Sequence, residues 1–132
     1  MIVDTSALVA ILTGEEEGPV LLDALIEAQI SRISAGTLLE AAIVLDSRSV
    51  PEQRRRLDDL LRLAAIEVVA FDEKQAAIAR AAHQDFGRGS GHSARLNLGD
   101  GFAYALARVT GEPLLYKGDD FAPAGVRSAL AR

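Results

Sequence analysis

The acidic residues of this chain fall at positions where a parallel α/β domain could use them for chemistry. The first follows a short apolar run at the start of the chain, two are single charges in apolar helical segments, and a pair follows a late apolar run. Ligands of open parallel sheets bind in the crevice at the carboxyl ends of the strands, so we expect these carboxylates to lie near one another. They are Asp4, Glu40, Asp100 and the pair Asp119 and Asp120.

Carboxylates of this kind favour a hard divalent cation, Mg²⁺ or Mn²⁺, over a softer metal. The chain has no cysteine, and its two histidines, His83 and His92, lie outside metal-binding spacings such as His-Glu-x-x-His. Several like charges within a few ångströms raise one another's pKa, so such a cluster needs a cation to stay ionised. The sequence therefore predicts a Mg²⁺ or Mn²⁺ site.

Each acid also has an ordinary structural explanation, which the residue types leave open. Asp4 could cap the helix that follows it, and Asp100 could cap a helix or interact with the helix dipole from the first turn. Glu40 could lie on a solvated helix face, and the pair Asp119 and Asp120 could form a turn. A site is favoured because Asp4 is expected on a buried central strand, where an unpaired carboxylate needs a partner or a metal. The occurrence of all these acids in one small domain also favours it.

The elements that must position these acids follow from the hydrophobic pattern. Short apolar runs alternate with segments of three- and four-residue apolar spacing, which is typical of βα units around a mainly parallel sheet. Right-handed crossovers then place helices on both faces of that sheet. The predicted strands are 1–3, 29–34, 66–71 and 113–117, and the predicted helices are 19–28, 37–47, 52–63, 73–86 and 99–109.

Residues typical of helix caps and helix breaks support these boundaries. Ser34 and Asp72 stand where helix N-caps are needed, and Gly111 follows the last periodic residue of its helix. Gly14 and the Gly-Pro pair at 18–19 separate a first short helix from the second. The Gly- and Ser-rich segment 87–95 is predicted to be a mobile loop.

Length and charge bound the class of protein. With 132 residues, 49% of them hydrophobic, the chain fits one α/β domain spanning 1–132. The net charge of −5 argues against a broad basic face for nucleic acid, although carboxylates around metal ions would account for part of the acidic excess. No secretory signal and no long apolar run is visible, so we expect a cytoplasmic protein with no membrane segment.

Four stretches of the chain resemble the PIN-domain family, and most closely its VapC branch, the ribonuclease toxins of type II toxin-antitoxin modules. They are Met1-Ile2-Val3-Asp4-Thr5-Ser6-Ala7, the mid-chain Glu40, residues 96–107 and residues 114–121. The resemblance covers nearly the whole chain in order and spacing. It implies Mg²⁺- or Mn²⁺-dependent cleavage of RNA, a homodimer, and inhibition by a small cognate, VapB-like antitoxin.

Residue by residue, the resemblance assigns roles to the acidic positions. Asp4, Glu40 and Asp100 match the first three acidic residues of the family. Asp119 is favoured slightly over Asp120 as the fourth, and both are candidate metal ligands. Thr5 and Ser6 are expected to support the site. Ions held there would bind the scissile phosphate, activate the attacking water and stabilise the departing 3′ oxygen.

Further interpretations concern substrate and partners. Arg88, Arg95 and Lys117 are possible RNA contacts, although each could be ordinary solvated charge, and His92 is expected to be a loop residue rather than a general base. The apolar residues at 20–22, and at 38–39 with Ile43, could line a groove for an antitoxin helix or could belong to the core.

Two other classes of protein compete with the nuclease. A receiver-type phosphoacceptor domain has a similar length, Mg²⁺ and a lysine after its last strand, but it needs paired acids after the first strand and does not use Glu40 or Asp100. A non-catalytic module could keep the fold without the chemistry, although the intact acidic positions weigh against it.

Overall fold

A computed structural model describes residues 1–47, 51–87, 89–92 and 95–130 of the chain. Within these residues, a four-stranded parallel sheet has the strand order β3-β2-β1-β4. In the centre, Ile2 lies opposite Arg32 on one side and Leu114 on the other. The strands are β1 (Ile2–Val3), β2 (Arg32–Ser34), β3 (Glu67–Val69) and β4 (Leu114–Leu115).

Six α-helices of the described residues surround this sheet. They are α1 (Thr5–Leu12), α2 (Gly18–Glu27), α3 (Ala35–Asp46), α4 (Pro51–Leu63), α5 (Glu73–Phe86) and α6 (Leu98–Thr110). Each strand is shorter than its apolar run predicts. At β1 and β2 the missing residues are at the amino end, whereas the carboxyl ends are as predicted, and Asp4 and Ser34 there cap the helices that follow.

Helix caps set most of these boundaries. The side chains of Ser34 and Asp72 accept hydrogen bonds from the first-turn backbone of α3 and α5, as the sequence predicts. Gly111 ends α6 in the left-handed conformation with φ of 72°, a conformation that glycine adopts without a steric penalty.

The core lies on both faces of the sheet. Alternate strand residues point to opposite sides: Val3 and Leu115 pack with α1 to α4, whereas Ile2 and Leu114 pack with α5 and α6. All four side chains are fully buried. The predicted fold class, an α/β domain with a mainly parallel sheet between two helical layers, is confirmed.

The glycine-rich segment between α5 and α6 is fixed at its base. Leu96 N–H donates to the Phe86 carbonyl over 2.8 Å, and Gly87 and Leu96 form an isolated parallel bridge. Positions 88, 93 and 94 of this segment lie outside the described residues, and so does the prediction made for Arg88. No helix in the described part of the chain is long and apolar enough to cross a membrane.

Candidate active site

Asp4 lies at the carboxyl end of the central strand and is only 3% exposed. Its Oδ2 accepts hydrogen bonds from the Ser6 backbone N–H at 3.0 Å and from the Ser6 hydroxyl at 2.7 Å, so Asp4 is the N-cap of α1. Its buried Oδ1 has no hydrogen-bond partner among the described residues. A buried acceptor without a partner is costly, which indicates that this oxygen is kept for something other than folding.

Burial raises the pKa of the Asp4 carboxyl to about 7, although the hydrogen bonds from Ser6 act in the opposite direction. The negative charges of Asp100 and Glu40 raise it further. The fold therefore brings these three acids into one electrostatic field.

Glu40 belongs to α3 and is half-buried. The Thr5 hydroxyl, in the first turn of α1, donates to Glu40 Oε1 over 2.5 Å, and the Thr37 carbonyl lies at 3.3 Å from the same hydroxyl. On the other side, the Glu40 carboxylate lies against Gly99 of α6, where a β-carbon would overlap it. Three helices thus position this carboxylate.

Asp100 lies in the first turn of α6, where a capping box fixes it. Asn97 N–H donates to Asp100 Oδ2 over 3.0 Å, and Asp100 N–H donates to Asn97 Oδ1 over 2.9 Å. Helix capping, the structural explanation that the sequence leaves open, is therefore correct for both residues. Asp100 belongs to the capping box of α6, and Asp4 caps α1 by accepting hydrogen bonds from Ser6. The two capping carboxylates are nevertheless close enough for the charge of Asp100 to act on Asp4.

Asp119 and Asp120 are exposed and line different cavities. Asp119 shares a cavity of about 480 Å³ with Glu17, Leu21 and Lys117. Asp120 lines a cavity of about 710 Å³ that is also lined by residues of the 87–95 segment. The structure thus brings Asp4, Glu40 and Asp100 together, and Asp119 and Asp120 line two separate cavities.

The donor set suits a hard divalent cation. Among the described residues, no three Asp, Glu or His side chains already lie close enough to hold an ion between them. The unpartnered Oδ1 of Asp4 and the mutual repulsion of its acidic neighbours nevertheless fit a cation, because positive charge would satisfy that oxygen and offset that repulsion.

A family model for the PIN domain matches residues 1–126. This chain belongs to the PIN domain family. Two relatives of this PIN domain are the ribonucleases VapC42 and VapC28 of Mycobacterium tuberculosis, and each is 52% identical to it. The VapC42 match covers 98% of both chains, and the VapC28 match covers 100% of this chain and 99% of the relative. The resemblance to the VapC branch of the family is confirmed, and the receiver-type alternative is wrong.

Solved structures agree on the fold. The crystal structure of VapC20 of Mycobacterium tuberculosis, described as a sarcin-ricin loop cleaving toxin, is similar with a TM-score of 0.74 and 18% identity, and the match covers 95% of each chain. A chain of a toxin-antitoxin complex from Klebsiella pneumoniae is similar with a TM-score of 0.67 and 21% identity, over 92% of this PIN domain and 89% of that chain.

Ser6 and Lys117 connect the first acid of this PIN domain to the segment after β4. The Ser6 hydroxyl that donates to Asp4 accepts a hydrogen bond from Lys117 N–H over 2.9 Å. The Lys117 ammonium forms ion pairs with Glu15 and with Glu17, the latter at 3.3 Å. Its charge is therefore already paired by Glu15 and Glu17.

Sequence reasoning missed two positioning residues, Asn97 and Gly99. A signal for the first is present: Asn97 and Asp100 have the three-residue spacing of a capping box before an apolar helix. The role of Gly99 depends on the approach of α3, which periodicity within α6 does not reveal.

Proposed function

We propose that this PIN domain is a Mg²⁺-dependent endoribonuclease, with Mn²⁺ as a possible substitute, and that it is the toxin of a type II toxin-antitoxin module. The observation that carries the proposal is the buried Asp4 carboxylate, whose Oδ1 has no hydrogen-bond partner in the described part of the chain and which lies in the field of Glu40 and Asp100. It occurs in a chain that is 52% identical over its length to ribonucleases of the VapC family.

Asp4, Glu40, Asp100 and Asp119 would hold the cation, with Asp120 as the alternative fourth ligand. When bound, the cation would supply positive charge to the scissile phosphate and lower the pKa of the attacking water. Ser6 fixes one oxygen of Asp4 by two hydrogen bonds and leaves the other available as a ligand. Because burial raises the pKa of Asp4 to about 7, this carboxyl must release a proton before it can bind a metal at lower pH.

The antitoxin is proposed to occupy the cavity lined by Glu17, Leu21 and Asp119. A basic amphipathic segment matches this lining, because the exposed Asp119 carboxylate stands beside apolar side chains such as Leu130, whereas Glu17 is paired with Lys117, which also lines the cavity. The structural similarity to a chain of a toxin-antitoxin complex supports a partner of this type. Of the apolar residues at 20–22 that the sequence assigns to the groove, Val20 is exposed and Leu21 is buried at its base.

The proposed homodimer uses a different surface. Leu39, Ile43 and Leu98 are each more than half exposed and, with Phe102, line an apolar cavity of about 470 Å³ beside Glu40. A second copy fits this lining because, apart from Glu40, it offers no charge for a basic partner to pair with. We therefore assign residues 39 and 43 to the dimer rather than to the antitoxin groove.

A growth assay tests the proposed function. Induced expression of the chain should arrest growth and fragment cellular RNA, whereas Asp100→Asn should do neither at equal protein level. Co-expression of the small open reading frame encoded next to it should restore growth, and its product should co-purify with the toxin. Normal growth and intact RNA with the unmodified chain would refute the toxin assignment.

A further inference from the structure

Lys117 contacts the chain at both ends of α1, and we propose that it is a positioning residue that fixes the Asp4 carboxylate for metal binding. Its backbone N–H donates to the Ser6 hydroxyl in the first turn of α1. Its ammonium pairs with Glu15 and Glu17, in the connection from α1 to α2. Lys117 thus acts on Asp4 through Ser6. The inference rests on the proposed metal-dependent function and names a further residue of the same site.

The contact with Lys117 decides in which direction the Ser6 hydroxyl donates. A serine hydroxyl has one proton to donate and two lone pairs that accept. The Lys117 backbone N–H can only donate, so the Ser6 oxygen must be the acceptor in their 2.9 Å contact. The hydroxyl proton is left for the Asp4 carboxylate, whose Oδ2 lies 2.7 Å from the Ser6 oxygen. The Lys117 N–H therefore directs the Ser6 proton to Oδ2.

The directed proton fixes the orientation of the Asp4 carboxylate. Oδ2 accepts two hydrogen bonds from Ser6, one from the hydroxyl and one from the backbone N–H at 3.0 Å. Oδ1 is buried and has no hydrogen-bond partner within the part of the chain that the structure describes. Because Oδ2 is occupied, Oδ1 is the oxygen that can bind a cation. Groups that hydrogen-bond to a metal ligand hold its orientation, and their loss weakens metal binding.

The side chain of Lys117 holds its backbone N–H in place. The pairing of β4 with β1 ends at Leu115, whose carbonyl accepts from the Asp4 N–H at 3.0 Å. Two residues further along the chain, the Lys117 ammonium is held by the carboxylates of Glu15 and Glu17, the latter at 3.3 Å. The ion pairs therefore anchor the chain where it has left the sheet, at the residue whose N–H contacts the Ser6 hydroxyl.

The carboxylates that hold this ammonium belong to a turn that is itself fixed. The Glu15 N–H donates to the Ala10 carbonyl over 3.0 Å, and the Glu15 carbonyl accepts from the Gly18 N–H at 2.9 Å. A single ion pair at the surface contributes little, but here one ammonium joins two carboxylates. The hydrogen bonds that Lys117 donates to Glu15 and Glu17 raise its pKa, so it stays charged.

Mn²⁺ binding without RNA tests this inference separately from cleavage. The dissociation constant of Mn²⁺ is measured for the full chain by electron paramagnetic resonance of the free ion. Lys117→Met keeps the length of the side chain but removes its charge, and it should weaken binding about threefold, less than the loss of a group bonded directly to a ligand. Removing a positive charge would by itself strengthen cation binding, so the direction of the change distinguishes positioning from a charge effect. Lys117→Arg, which retains the charge, should restore the affinity.

A double-mutant cycle with Ser6→Ala shows whether Lys117 acts through the Ser6 hydroxyl. Ser6→Ala should weaken Mn²⁺ binding about tenfold, and adding Lys117→Met should weaken it no further. The matched control is Lys74→Met, at the other lysine of the chain, which is exposed in the first turn of α5. It should change the affinity less than about twofold, because salt screens an exposed charge.

Three results would overturn the inference even if the protein cleaves RNA. They are unchanged or tighter Mn²⁺ binding by Lys117→Met, additive effects in the double variant, and an unmodified chain that does not bind Mn²⁺. Absence of RNA cleavage with the expected binding pattern intact would instead refute the proposed function alone.

Discussion

The carboxylate of Glu40, on α3, lies directly against the backbone of Gly99, on α6, so that any β-carbon at position 99 would overlap it. Gly99 is buried and precedes Asp100. The absence of a side chain at this position lets α3 approach the start of α6, and this approach puts two acids of the site into the same electrostatic field around Asp4.

Replacing Gly99 by alanine should therefore impair activity more than stability. The added methyl group meets the end of a flexible side chain, so the Glu40 carboxylate moves away and the fold remains. We expect at least a tenfold loss of RNA cleavage, because a small misplacement of a catalytic group has effects of this order. The melting temperature should change little, since alanine favours the helix by up to about 1 kcal/mol over glycine.

Gly101→Ala is the matched control on the same helix. A β-carbon there would make an ordinary contact of 3.4 Å with Ala79. This variant should keep its activity and gain stability. Equal activity of Gly99→Ala and Gly101→Ala would show that the position of Glu40 does not matter for cleavage.

Thr5→Val should also act through Glu40. Valine keeps the shape of threonine but loses the hydroxyl that donates to Glu40 Oε1 at 2.5 Å. We expect a several-fold decrease in kcat and a loss of at most about 1.5 kcal/mol in the free energy of unfolding. Thr5→Ser, which retains the donor, should recover most of the activity, and failure of serine to do so would point to the packing of the threonine methyl group instead.

The stability of the metal-free protein should decrease as pH rises from about 4 to about 7. The ordinary pKa of an aspartate carboxyl is 3.8, and burial raises the pKa of Asp4 to about 7 in the folded chain. Over this range the folded state retains a proton that the unfolded state has lost, so ionisation favours unfolding. The total effect is up to roughly 4 kcal/mol, at about 1.4 kcal/mol per pKa unit.

Urea denaturation in EDTA measures this effect by comparing the chain with Asp4→Asn at each pH. The difference isolates Asp4 from other titrating groups, such as Glu112. Partial burial acts to raise the pKa of Glu112, but the N-terminal ammonium and Arg32 lower it below its usual value. The variant should gain relative stability as pH rises and level off above pH 7. Parallel pH profiles for both proteins would mean that Asp4 titrates normally.

Leu98→Asp should convert the proposed dimer to a monomer. Leu98 is 80% exposed beside Leu39 and Ile43, and a charge there would be desolvated on association. Leu63, also 80% exposed but on α4, provides the control Leu63→Asp, which should remain dimeric. Sedimentation at micromolar concentration distinguishes the two, and a monomeric unmodified chain over that range would contradict the dimer itself.

The alternation of apolar runs and helical periodicity was sufficient to predict the fold, because each strand and helix is patterned locally. The predicted bounds 73–86 match α5, and Ser34 and Asp72 are the caps expected of them. The strands are predicted too long because the hydrophobic runs extend beyond the paired residues, at the amino end of each strand and, for β3 and β4, at the carboxyl end as well. Ile66, for example, is buried but precedes β3.

The site was less accessible to sequence reasoning because it is assembled by tertiary contacts. From residue spacing, capping and catalysis are alternative roles for Asp4. In the structure, one carboxylate oxygen of Asp4 caps α1 and the other has no partner among the described residues. The separation of Asp119 from Asp120 into different cavities depends on the course of the chain after β4. The pairing of Lys117 with Glu15 likewise depends on where the α1–α2 connection lies.

Metal-dependent RNA cleavage by the purified chain is the most direct test of the proposed function. Total RNA is incubated with the protein in Mg²⁺, in Mn²⁺ or in EDTA, and with Asp4→Asn at the same concentration, and new 5′-phosphate ends are mapped. We predict discrete new ends with Mg²⁺ or Mn²⁺, and none in EDTA or with Asp4→Asn. The same ends in EDTA, or with Asp4→Asn, would contradict an acidic metal site as the source of the activity.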